Sequence, residues 1–175
     1  MSLTSPAHRA QLELFGQRLG DEAFETRLVP AGGAIPYDTL LVGITGDEEG
    51  APGWQLELSF LPNLEDQLEG VSLLQCFVAL SEVRSKAELL RFAVRLNTRL
   101  PLVGFGALDE PSLACFRHTL MLPEDAETAA AMIVQAAWMI SYLLTLFGQP
   151  VALVASGEAT IEEALRGHPF AHLFA

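Results

Sequence analysis

Apolar and polar positions alternate most cleanly in "WQLELSF", where Trp54, Leu56, Leu58 and Phe60 share one face and Gln55, Glu57 and Ser59 the other. A period of two predicts a half-buried strand. "DTLLVGIT" repeats it through Leu40, Val42 and Ile44. "VSLLQCFVAL" is apolar on both faces, which predicts a central strand or one covered on both sides. "LVGFGAL" and "SLACFRHTLML" flank the turn residues "DEP" and predict a hairpin. "FETRLV", residues 24–29, has the length of a short strand and nothing more.

Helical spacing or helix-capping signals appear in four places. Leu12, Phe15 and Leu19 follow Ser5-Pro6, a suitable N-cap with proline at the first helical position, and Gly20 is a natural stop. Ser85 with Glu88 spells a capping box for a helix from Lys86 to Arg99 that ends before Pro101. Asp125 precedes a long apolar helix. Thr160 with Glu163 spells a second capping box, for a short final helix. "AGGAIP", "GDEEGAPG" and "LPNLEDQLEG" read as connections, and "PVALVAS" fits either a strand or a helix. The expected order is α-β-β-β-α-β-β-α plus the short C-terminal helix. That is an α+β fold with an antiparallel sheet, in a single domain over residues 1–175 with 149–175 as a C-terminal extension.

Composition bears on association. The chain of 175 residues is 50% apolar yet carries a formal net charge of −12. A large core plus a buried interface would account for both, so a homodimer is expected. The acidic balance argues against general nucleic-acid binding and in favour of basic partners. Cys76 and Cys115 sit in apolar runs, as free buried cysteines do. The N-terminus has no apolar signal core, so a cytoplasmic protein is expected. Residues 129–147 are long enough to span a bilayer, but Gln135, Ser141, Tyr142 and Thr145 interrupt them and no cationic anchor follows. A core helix without membrane insertion fits that pattern better. Gln135, Trp138 and Tyr142 lie on its less apolar arc and are the candidates for contact with a client or a dimer mate.

Five of the ten cationic residues fall between Arg84 and Arg99. Arg84, Arg91, Arg95 and Arg99 share one helical face, opposite Leu89, Phe92, Ala93, Leu96 and Leu100. Three readings are open. The stripe is a solvated face with end charges that complement the helix dipole; or Arg91, Arg95 and Arg99 meet an acidic patch on a mate or client; or they bind phosphate or nucleic acid, without aromatic residues on that face to stack bases.

"ELLRFAVRLNTRLPLVGFGALDEPSLACFRHTLMLP" resembles the YbjN family, bacterial proteins labelled sensory transduction regulators. A helix ending in "RLNTRLP" followed by a hairpin whose second strand carries "FRHTL" bears the resemblance, with Asn97, Pro101 and Arg117 as the matching polar or punctuating positions. It covers about residues 85–122, and the element order extends it to about 7–148. The order is also similar to that of type III secretion chaperones. The resemblance implies a non-enzymatic, dimeric, cytoplasmic protein that holds or regulates another protein through backbone pairing and apolar pockets.

No catalytic constellation stands beside these features. His168 and His172 are spaced i, i+4 but have no third ligand nearby, so no metal site is expected. Cys115 and His118 point to opposite faces of a strand, and His118 shares a face with Phe116 and Leu120. "GFGAL" lacks the third glycine of a dinucleotide loop, "VASGE" is not a nucleophile elbow, and the acids of "DEEG" and "LDEP" sit at turns. The leading expectation is a non-enzymatic homodimeric adaptor without a cofactor. Its protein client would be basic, and could itself be a nucleic-acid-binding protein by charge complementarity alone. The alternative is an anion- or nucleic-acid-binding regulator using the arginine face of helix 86–99.

Overall fold

The computed structural model describes residues 5–32, 36–44, 53–61 and 70–173. The turns "GDEEGAPG" and "LPNLEDQLEG" lie mostly outside these residues, as do the carboxylates of "DEEG". The elements are α1 (Pro6–Asp21), β1 (Glu25–Val29), β2 (Thr39–Ile44), β3 (Trp54–Phe60), β4 (Val71–Glu82), α2 (Lys86–Asn97), β5 (Phe105–Leu108), β6 (Leu113–Pro123), α3 (Ala126–Ser156) and α4 (Ile161–Ala164), with a 3₁₀ turn at Ala171–Leu173. The strands form one six-stranded antiparallel sheet in the order β1-β2-β3-β4-β6-β5. The α+β class is as expected, and "VSLLQCFVAL" is indeed a central strand. Residues 25–29 are a full sheet member, paired along their whole length with β2, so four strands precede α2 instead of three.

The chain divides into two compact units: residues 1–77 with 119–141, and residues 78–118 with 142–175. The first unit is built on the alternation seen in β2 and β3. Leu40 pairs with Leu58 and Val42 with Leu56, which puts all four side chains on one face. They are buried together with Leu12, Phe15 and Leu19 of α1. Each such side chain contributes about 1.5–3 kcal/mol on leaving water. Gly16 lets the helix approach closely, since a Cβ there would lie 3.3 Å from Leu40 Cδ1. The hydroxyl of Ser5 caps α1 by accepting the His8 N–H at 3.1 Å. At its other end the helix passes Gly20. Ala23 takes the left-handed conformation (φ 67°), Ala23 N–H donates to Gly20 O and Phe24 N–H donates to Leu19 O. That is a Schellman ending with alanine where glycine is usual.

The second unit holds α2 against β5. Leu89, Phe92, Ala93 and Leu96 are buried, as the stripe pattern requires. The predicted capping box at Ser85 does not form. Its backbone N–H, which Glu88 would have accepted, donates instead to Ala155 O at 3.0 Å, and Glu88 turns to Arg91. Asn97 ends the helix, two residues short of the expected Arg99. Its side-chain oxygen accepts the N–H groups of Gly104 and Phe105, both at 3.1 Å, and its amide donates to Phe105 O at 2.8 Å. Gly104 in turn accepts the Arg117 N–H at 2.8 Å. A Cβ at Gly104 would come within 2.6 Å of the Phe116 ring. Asn97 and the Arg117 N–H thus join the end of α2 to the β5–β6 hairpin.

α3 runs for 31 residues and takes "PVALVAS" into its last turns, with Pro150 inside the helix. Proline has no N–H to give the carbonyl four residues back. That carbonyl, Leu146 O, receives the His168 ring at 2.9 Å. Phe170 N–H donates to His168 Nδ1 at 3.2 Å, which places the ring proton on Nε2, facing Leu146. The capping box at Thr160 and Glu163 is present in full and starts α4, whose chain leads to His168. The described part of the C-terminal extension, residues 149–173, is therefore bonded into the second unit.

Two outcomes follow. Ala23→Gly should stabilise the protein by about 1 kcal/mol by removing the cost of a left-handed alanine, seen as a higher urea midpoint at unchanged slope. His168→Ala should cost about 1–3 kcal/mol by exposing a buried carbonyl need, and clearly less in a Pro150→Ala background, where residue 150 supplies its own N–H. Additive effects in that double-mutant cycle would break the link between the two residues.

Candidate partner-binding surface

The outer side of α3 is the feature that the core does not explain. From Thr128 to Ser156 the helix carries no charged residue. Within the first unit Ala129, Ala130, Ile133, Ala137 and Ile140 are buried, while Met132, Gln135, Trp138 and Met139 are exposed. Within the second unit Leu143, Leu144, Phe147, Val151 and Val154 are buried and Tyr142 is 54% exposed. By length and composition α3 could cross a membrane, and 39% of its apolar window is buried inside the protein. Gln135, Trp138 and Tyr142, chosen from the less apolar arc, are all solvent-facing.

Trp138 is 48% exposed, and its ring packs on Phe24 with centroids 4.8 Å apart and planes at 58°. The two rings belong to a cleft of about 330 Å³ that also includes Glu22, Glu25, Gly43 and Ser141. Phe24 is there because the Schellman ending of α1 turns the chain sharply into β1. Gly43 stands opposite Glu25 in the β1–β2 register, and a Cβ on it would lie 3.4 Å from Glu25 Cβ. A second hollow of about 410 Å³ adjoins Gln135, Asp21 and Glu22, beside the Arg18–Glu127 ion pair at 2.5 Å. Neither hollow was legible beforehand, because Glu22, Phe24 and Glu25 meet α3 only through the turn after α1.

The cationic face of α2 is different in kind. Arg91 pairs with Glu88 at 2.6 Å, Arg95 lies 3.9 Å from Glu162, and Lys86 pairs with Asp109. Arg84 and Arg99 are exposed. Leu90 and Val94 are also exposed on this side, interrupting the cations with apolar surface. The acidic partners come from the same unit, and surface pairs of this type are worth about 0–1 kcal/mol. Three cations of this face thus have carboxylates of their own unit beside them.

The remaining polar candidates have structural roles. His168 caps a carbonyl and packs on Phe147 at 4.9 Å. His118 is half-buried, with Nδ1 3.0 Å from Val103 O. Among the described residues no group of three or more His, Cys, Asp or Glu could hold a metal ion. Cys76 and Cys115 are free and buried. Burial pushes the Cys76 thiol up to about 12. Cys115 is raised by burial as well, partly offset by the charge of Arg117.

No protein-family model matches the chain, and no curated protein is significantly similar to it.

The raised thiol has a consequence with a definite sign. A thiol whose folded value exceeds its unfolded value contributes stability below the unfolded value and loses it as pH rises through the folded one. Stability should therefore fall as pH climbs from the ordinary thiol value of 9.0 towards about 12. Cys76→Ala should flatten that alkaline limb in urea melts. Below it, labelling of Cys76 by a thiol reagent should require unfolding.

Proposed function

We propose that this chain is a non-enzymatic, homodimeric protein-binding module, a chaperone-like adaptor or regulator of the YbjN type that acts in the cytoplasm on a basic protein client. The observation that carries this reading is the charge-free outer side of α3 on a chain of net charge −12, with Met132, Trp138, Met139 and Tyr142 exposed. A helix that merely faced water would gain solubility from charges there at no cost to packing. Their absence favours a surface covered by protein. Acidic residues elsewhere would steer a basic client towards it, a rate effect that weakens with salt. The local pairing of Arg91 and Arg95 supports this reading over an anion-binding one. The order of helices and strands supports the relation to the secretion chaperones in kind.

Sedimentation of the purified protein should give a dimer at micromolar concentration. An affinity pull-down from native-cell lysate should retain a stoichiometric protein partner after nuclease treatment. The triple variant Gln135→Ala, Trp138→Ala, Tyr142→Ala should lose at least one of these two associations while keeping its fold by circular dichroism. A strictly monomeric protein that captures no client, or a triple variant that keeps both associations, would overturn the proposal. Partners that disappear with nuclease would transfer the role to the arginine face.

A further inference from the structure

The cleft beside Trp138 has a composition of its own. Its walls are two aromatic rings in contact, and one of them, Trp138, is half exposed. Its rim carries Glu22 and Glu25, and no ion pair engages either carboxylate among the described residues. The C-terminal end of α1 adds the negative end of a helix dipole at Glu22 and Ala23. Gly43, next to last in β2 and opposite Glu25, has no side chain to fill the floor. The nearest cation on β1 is Arg27, two residues from Glu25. At about 330 Å³ the space lies at the small end of ligand pockets, the size of one long side chain more than of a cofactor.

Aromatic faces attract organic cations through their quadrupole, and carboxylates at the rim would give a planar guanidinium charge-assisted hydrogen bonds. We infer that the Phe24–Trp138 cleft is a receptor for a single arginine side chain presented by a protein client, with the guanidinium between the Trp138 face and the carboxylates of Glu22 and Glu25. The inference rests on the proposed basic client for the source of the arginine. The cleft itself stands on its own geometry. Arginine fits better than lysine because its flat head can stack on indole while its edge meets both carboxylates.

The test uses the full chain labelled with ¹⁵N and follows the indole N–H signals of its two tryptophans, Trp54 serving as the internal control. Titration with acetyl-Gly-Arg-Gly-amide should move the Trp138 signal saturably and leave Trp54 in place. The citrulline peptide, its neutral isostere, should not move it. Glu22→Gln with Glu25→Gln should weaken binding roughly tenfold, and Glu25→Gln alone should do so in part if the double variant folds poorly. An unmoved Trp138 signal, equal binding of the citrulline peptide, or saturation by spermidine where the arginine peptide fails would each overturn the assignment. The two proposals separate cleanly. Arginine-peptide binding without any captured client would leave the cleft and remove the adaptor. A captured basic client that ignores the glutamate substitutions would do the reverse.

Discussion

A 31-residue helix with no charge between Thr128 and Ser156 buries one side of itself and exposes the other, and the core of each unit depends on the buried positions it receives from that helix. The buried positions fall at helical spacing, Ile133, Ala137, Ile140, Leu144 and Phe147 among them, and account for much of the apolar excess in the composition. The exposed positions keep the same lack of charge without the same justification. A core can explain the first set through area removed from water. The second surface proposed above, a mate or a client, would give the outer set a comparable reason.

Hydrogen-bond accounting explains the parts of the second unit that look irregular. Backbone groups removed from water need partners, and two side chains and one carbonyl at the end of α3 supply them at the breaks in regular structure. Asn97 meets the N–H groups of Gly104 and Phe105 where no ladder has yet begun. His168 meets the carbonyl that Pro150 leaves open. Ala155 O takes the N–H groups of both Arg84 and Ser85, which secures the start of α2 and displaces the capping box spelled there. In each case a residue that reads as a motif or a ligand candidate in the sequence is occupied by the backbone.

Charge is distributed with a similar division. The cations of α2 have carboxylates beside them, so the cluster that stands out in the composition is largely neutralised where it sits. Among the described residues no cation pairs with Glu22 or Glu25 at the end of α1 and the start of β1, and both adjoin the half-exposed indole of Trp138. The net charge of −12 therefore has a local expression at that cleft, where aromatic surface and carboxylates occur together.

Local pattern alone determined the α+β class, the faces of β2, β3 and α2, the apolar character of β4 on both faces, the arc of α3 that carries Gln135, Trp138 and Tyr142, and the capping box at Thr160, because each depends on neighbours within a few residues; that β4 is central was decided by the pairing of the sheet. The tertiary structure decided what depends on distant partners. The short run at 25–29 became a strand only because β2 offers it a ladder. The helix from Ala126 passed through Pro150 because His168, eighteen positions later in the chain, satisfies the freed carbonyl. The box at Ser85 gave way because Ala155 O was within reach of its N–H. The Phe24–Trp138 cleft joins residues more than a hundred positions apart, and no local pattern of apolar and polar residues can encode a meeting of that kind.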